Sequence, residues 1–267
     1  MRKAKIAGTA MGVLLSLGLL LSPMVEQKLV YGADAPVAIN ETNFPDEKFR
    51  EYVSEQIDTD GNGELSEDEM NGVQEIKVFG QGIADLKGIE SFPELRVLDC
   101  GGTANATNEL SSLDLSRNTA LEELNCSYNK LTSLDVSQNT TLRTLRCSNN
   151  KLTSLDLSQN TALSGLYCRN NNLNSLNIQN TVLKELDCYN NELSSLDVSQ
   201  NTTLSSLICS GNNLNSLDVS QNTALEVLRC QDNELNSLDV SQNTALEELD
   251  CSYNKLTSLD VSQNTAL

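Results

Sequence analysis

The sequence predicts a β-rich solenoid of short stacked repeats. It should carry a parallel sheet, little helix on its convex side, and a small helical cap at its N-terminal end. Two observations predict the solenoid. Cysteines recur at 126, 147, 168, 188, 209, 230 and 251, at intervals of 21, 21, 20, 21, 21 and 21 residues. Around each lies one phrase, L-x-x-L-x-C-x-x-N-x-L-x-S-L-D-V-S-Q-N-T, and residues 126–140 return unchanged at 251–265. A unit this short cannot bury its own apolar face, so neighbours must stack and share one core. A third observation concerns what fills that core. Aromatics make up 4% of the chain and Trp is absent, which leaves Leu to pack thin, similar layers.

The chain opens with basic Arg2, Lys3 and Lys5, then an apolar run from Ile6 to Leu21, then Gly32 and Ala33. This is the layout of a secretory signal peptide occupying residues 1–33. The alternative, an uncleaved anchor, needs a run of roughly 20 apolar residues, longer than this one. The expected location is therefore extracellular, secreted or associated with the cell surface.

Residues 34–75 carry no repeat and form the expected cap. Phe44, Phe49, Tyr52, Val53 and Ile57 fall three to four residues apart, as on one face of a helix. A second short helix should follow near 67–76. Between them lies D-T-D-G-N-G-E-L-S-E-D-E, residues 58–69. It fits a twelve-residue calcium loop at every defining position. Calcium takes six to eight oxygens. Asp58, Asp60 and Asn62 offer side-chain oxygens at alternate positions, and Glu64 a backbone carbonyl. Ser66 stands where a ligand often acts through water, and Glu69 offers two carboxylate oxygens. Gly63 permits the sharp turn. The alternative is an acidic surface turn. The loop with its flanking helices resembles an EF-hand, which implies one bound calcium as cofactor. A dockerin would carry two such loops, and this chain has one. An unpaired hand implies a structural ion rather than a sensor.

Residues 76–267 hold about nine rungs, the last incomplete. Leu142, Leu145, Cys147, Asn150 and Leu152 fit the leucine-rich repeat signature with Cys in the third apolar slot. Leu152, Leu155, Leu157, Asn160 and Leu163 repeat the idea within the same unit. The nested pattern resembles bacterial IRREKO-type repeats. The preceding rung, with Ile83, Leu86, Ile89, Phe92, Leu95 and Leu98, resembles a repeat of the internalin family. Cap and repeats together resemble secreted leucine-rich repeat proteins of Gram-positive bacteria. The resemblance implies a fold more strongly than a function.

Asn129, Asn150, Asn171, Asn191, Asn212, Asn233 and Asn254 fall three residues after each Cys, where they are expected to satisfy backbone groups at the turn. The eight cysteines point inward on successive rungs about 4.8 Å apart, wider than the roughly 3.8 Å between Cβ atoms of a disulfide. Buried free thiols are expected. Cys100, beside the longer loop 101–110, is the expected exception.

The formal charge is −19, and about −22 without residues 1–33. Phosphates would be repelled, so nucleic acid and anionic membrane are excluded as partners. There is no His, so imidazole catalysis is excluded as well. Inward thiols without a base are poor nucleophiles. No enzyme activity is expected. The second half of each unit is nearly constant, with Asp114, Asp135, Asp156, Asp197, Asp218, Asp239 and Asp260 recurring and Asn177 the one change. The positions around each Cys vary: Asn125, Tyr128, Arg146, Tyr167, Arg169, Asp187, Tyr189, Ile208, Arg229, Asp232, Asp250 and Tyr253. A constant face serves building, whereas a varied face rich in Tyr and Arg suits protein recognition. A host or matrix protein is the expected partner. The alternatives are a carbohydrate- or cell-wall-binding module and a structural stalk. The final rung matches interior ones rather than a polar terminal cap, so the chain is expected to be a piece of a longer surface protein.

Overall fold

The computed structural model describes residues 35–179 and 182–267; the expected signal peptide lies outside them. In chain order the cap comprises β1 (Val37–Ala38), α1 (Glu47–Gln56), β2 (Glu64–Leu65) and α2 (Glu67–Gly72). The repeats follow as β3 (Glu75–Lys77), β4 (Val97–Asp99), β5 (Glu123–Asn125), β6 (Thr144–Arg146), β7 (Ser154–Asp156), β8 (Gly165–Tyr167) and β9 (Ser175–Asn177). Then come β10 (Glu185–Asp187), β11 (Ser206–Ile208), β12 (Val227–Arg229) and β13 (Glu248–Asp250).

Nine of these strands form one parallel sheet, in the order β13-β12-β11-β10-β8-β6-β5-β4-β3. Its register is the repeat itself. Leu98, Leu124, Leu145, Leu166, Leu186, Leu207, Leu228 and Leu249 are aligned across neighbouring strands. A one-residue slip would turn each Leu out and its polar neighbours in. The second halves turn Leu134, Val136, Leu155 and Leu157 inward. Only β7 and β9 pair there as strands, and no α-helix follows Gly72 among the described residues. A run of Ser, Thr, Val and Asp has little drive toward helix.

Two asparagine ladders bind rung to rung. Asn150 Nδ2 donates to the carbonyl oxygens of Cys126 (3.0 Å) and Cys147 (3.1 Å), and its Oδ1 accepts from Leu131 N. The second ladder includes Asn118, Asn139, Asn160, Asn222 and Asn243. Asn139 Nδ2 donates to Leu115 O (3.1 Å) and Asn118 O (2.8 Å). The recurring Asp has a local task as well: Oδ1 of Asp135, Asp156, Asp218 and Asp239 accepts the backbone N–H two residues on. These side chains close the outer turns.

The cap shields the first rung. Asp46 caps α1, accepting from Lys48 N and Phe49 N, and Pro45 lies just before that cap. Phe44 and Phe49 meet edge to face, with centroids 6.0 Å apart, and both are fully buried. Gly88, at φ 102°, lets the chain pass Phe44: a Cβ there would lie 2.2 Å from its ring. Asp46 Oδ2 accepts from Ala84 N, Lys48 Nζ donates to Gln81 O, and Lys87 Nζ donates to Thr42 O, each at 2.8 Å. At the other end Leu249, Cys251 and Leu256 are half-buried and Leu259 is exposed. Among the described residues no helix is long and apolar enough to cross a membrane.

Candidate binding face and cap loop

The varied residues sort into three positions. Asn125, Arg146, Tyr167, Asp187, Ile208, Arg229 and Asp250 follow the central Leu of their strands and form one column across the sheet. Arg169 and Tyr189 come next, just beyond a buried Cys, and both are exposed. Tyr128, Asp232 and Tyr253 are not on strands. They sit in the turn before the ladder Asn, with φ of 57°, 56° and 53°. The equivalent position elsewhere is Asn149, Asn170, Asn190 or Gly211, also left-handed. Asn and Gly tolerate that backbone, whereas a bulky Tyr is strained in it. Tyr253 is nonetheless 81% exposed.

The middle of the column is prearranged. The Arg146 guanidinium lies 5.0 Å from the Tyr167 ring centroid, within cation–π range. Tyr167 Oη donates to Glu185. Gly165, on the same strand, leaves the space that the Tyr167 ring covers, 3.3 Å from where a Cβ would stand. Burial pushes the Asp187 carboxyl above the ordinary range, against the Tyr189 N–H and Arg169, which pull it down. Arg169 Nη1 is 4.0 Å from it. Ile208 is half-buried on the next strand. Arg229 pairs with Glu248 through Nε (2.5 Å) and Nη2 (3.1 Å).

All eight cysteines are free; seven are buried and Cys251 is half-buried. Cys100 is fully buried too, contrary to its expected exception, because the loop after it is tied back onto the rung: Asn108 Nδ2 donates to Cys100 O (3.0 Å) and Gly101 O (3.3 Å). Burial pushes the Cys126, Cys188 and Cys230 thiols up to about 12.

In the cap loop, carboxylate oxygens of Asp58, Asp60 and Glu69 lie within 4.8 Å of one another. Asp58 is buried; its Oδ2 accepts from Gly63 N (2.9 Å), and its Oδ1 from Gly61 N (2.8 Å). Asn62 Oδ1 accepts from Glu64 N, and Asn62 Nδ2 donates to Asp60 Oδ2. Glu69 accepts from Thr59 through Oε1 and from Ser66 through Oε2. Ser66 N–H, then the Thr59 hydroxyl, pull its carboxyl down to about 2. Three carboxylates converge in a stretch, 51–76, without a Lys or Arg. The donor set is all oxygen and suits a hard divalent cation. Glu64 lies in β2, which pairs with β1 through Val37–Leu65 and Ala38–Glu64. Residues 37–38 therefore line that edge of the loop. The helix α2 spans six residues and is shorter than the sequence implied.

Residues 44–170 match the family model for the leucine-rich repeat domain of the endo-β-N-acetylglucosaminidase EndoS. Among solved structures, the functional domain of InlJ from Listeria monocytogenes, described as including a cysteine ladder, is similar at 40% identity and a TM-score of 0.81. That similarity covers 88% of this chain and 52% of the other, so the chain spans about half the length of that structure. The internalin InlF from Listeria monocytogenes matches at 21% identity and a TM-score of 0.64, over 87% of this chain and 76% of the other. A plant example, the ectodomain of the receptor kinase GASSHO1/SCHENGEN3 from Arabidopsis thaliana, shares the fold at 22% identity and a TM-score of 0.62, over 70% and 25% of the two chains. No curated protein sequence matches the chain.

Proposed function

Starting from an internalin-like leucine-rich repeat chain, we propose a secreted or cell-surface binding protein that recognises a protein partner on the open face of its nine-stranded sheet. The observation that carries this is the contrast between the two sides of each unit. The outer turns repeat an Asp that serves its own backbone, whereas the sheet column changes residue on every rung. Arg146, Tyr167 and Arg229 stand in that column and Tyr189 beside it, and such side chains supply most binding energy at interfaces. The column also contains Ile208, half-exposed where a solvated face would favour a polar residue.

Binding of the chain to a panel of purified extracellular and matrix proteins, read by surface plasmon resonance, tests it. Tyr189→Ala and Ile208→Asp should weaken the best binder at least about tenfold. Asp156→Ala and Asp218→Ala should leave it unchanged. Equal losses from both pairs, or losses from the Asp pair alone, would move the site off the sheet.

We also propose that the cap loop holds one structural calcium, with ligands from Asp58, Asp60, Asn62, Glu64, Ser66 and Glu69. The ion would offset the repulsion among three carboxylates and so fasten the loop between α1 and α2. The convergence of oxygens around Asp58 supports it.

A further inference from the structure

The chain is strongly acidic, but its charge is not spread evenly. Residues 142–184, two successive rungs, hold Arg143, Arg146, Lys151, Arg169 and Lys184 against one acid, Asp156. The interruption of the recurring Asp falls in the same place: Asn177 stands there and donates to Asp156 Oδ1. Both sides of the solenoid therefore lose negative charge on the same rungs.

On the sheet side these cations are arrayed rather than scattered. Ser164 N donates to Arg143 O, and Lys184 N to Ser164 O. Arg143 and Lys184 thus stand two strands apart, about 10 Å at the usual spacing. Arg146 lies across the Tyr167 ring. Among the described residues, Arg146 and Lys184 make no ion pair, and both are exposed. Arg143 reaches Glu122 only at 3.4 Å. Directly C-terminal on the same face come Tyr189, 42% exposed, and the half-buried Ile208 and Val227.

We propose that the proposed recognition face takes an acidic segment of a partner protein. Its carboxylates would meet Arg143, Arg146 and Lys184, and an apolar side chain would rest against Tyr189 and Ile208. Charge complementarity selects this occupant. An anionic segment is drawn to this basic patch and repelled by the flanking acidic rungs, which sets its register on the solenoid. Glu185 and Asp187 stand inside the same patch, on β10. A densely sulfated glycan would have to lie against both carboxylates, whereas a polypeptide with spaced acids can pass between them. The aliphatic neighbours likewise favour a peptide over a sugar chain.

The inference rests on the recognition face proposed above, and its test separates the two. Fluorescence anisotropy of the full chain is measured with labelled dodecapeptides alternating Glu with Leu or Phe, with the same peptides carrying Lys in place of Glu, and with heparin. The Glu peptides should bind saturably and weaken several-fold as salt rises from about 0.05 to 0.3 M. The Lys peptides and heparin should bind at least about tenfold more weakly. Lys184→Glu, an exposed site, and Arg146→Glu should each weaken the Glu peptides at least about fivefold with unchanged melting curves. Lys130→Glu and Lys255→Glu, outside the patch, should not. Heparin binding more tightly than the peptides, no saturable binding of the Glu peptides, or equal effects at Lys130 and Lys184 would overturn the acidic segment. Loss of peptide binding in Ile208→Asp without loss in Lys184→Glu would leave the face standing and remove the charge assignment. Loss in neither would remove both.

Discussion

The Asp58 carboxylate accepts the backbone N–H of Gly63 at 2.9 Å through one oxygen and that of Gly61 at 2.8 Å through the other. Those bonds draw the loop backbone around a buried anion, while Asp60 and Glu69 bring two more negative groups within 4.8 Å. Calorimetric titration should therefore show one saturable calcium site, and calcium should raise the melting temperature. Glu69→Gln should weaken binding by at least about tenfold, since a bidentate, charged ligand becomes a neutral one. No saturable heat up to millimolar calcium would leave the loop as a turn only.

Acid should loosen the cap and the outer turns together. The folded-state pKa of Glu69 is depressed from 4.5 to about 2. Its stabilising contribution is thus full above its unfolded value and is lost as pH falls from about 4.5 toward 2. Asp135, Asp156, Asp218 and Asp239 are lowered too, by the N–H and hydroxyl of the Ser two residues on. Asp187 runs the other way, because burial raises it. Denaturant melts across this range should show falling stability, and Glu69→Gln should flatten part of the slope.

Base should loosen the core. The Cys126 and Cys188 thiols are raised from 9.0 to about 12 by burial. Between those values the unfolded chain ionises thiols that the folded chain keeps protonated, so stability falls as pH rises above about 9. At neutral pH, a thiol reagent should modify few cysteines in the folded chain and all eight after denaturation without reductant. Mass spectrometry showing paired cysteines would contradict the stack.

Asn150→Ala should cost about 1–3 kcal/mol. It removes the acceptor of Leu131 N, which is left buried and unpaired, and one of the two ladder donors at each of Cys126 O and Cys147 O, which keep Asn129 and Asn171. Asn172→Ala, at an exposed position one residue past the next ladder Asn, should cost little. Equal losses in urea melts would deny the ladder its role.

The sheet and its register were legible because a period survives averaging: each Leu and Cys is stated many times, and stacking admits one alignment. The first asparagine ladder was legible for the same reason. The second was equally periodic, at Asn118, Asn139 and Asn222, but sat in a Ser- and Thr-rich stretch that reads as surface turn. Only the fold shows those side chains buried against the previous rung's carbonyls. The left-handed backbone at Tyr128 and Tyr253 was hidden because their neighbours in the repeat, Asn and Gly, announce a turn and Tyr does not. The half-burial of Asp187 depends on what stands beside it across strands, which spacing along one strand does not reveal. The loop at 58–69 was legible as a ligand pattern, but its pairing with residues 37–38 joins two segments without a shared motif.

The interval between Cys168 and Cys188 is one residue shorter than its neighbours, yet Asn191 still donates to Cys168 O at 3.2 Å and β10 keeps its alignment with β8. The joint between units thus tolerates slippage on the outside while the inner face keeps count. Whole units can then be gained or lost by recombination between near-identical stretches of coding sequence, with each event leaving every joint intact. The distance between any two recognition residues on the sheet would change only in steps of about 4.8 Å. Reach along the solenoid becomes a quantised trait, adjustable by copy number alone, while the chemistry of each step is left for point mutation to vary.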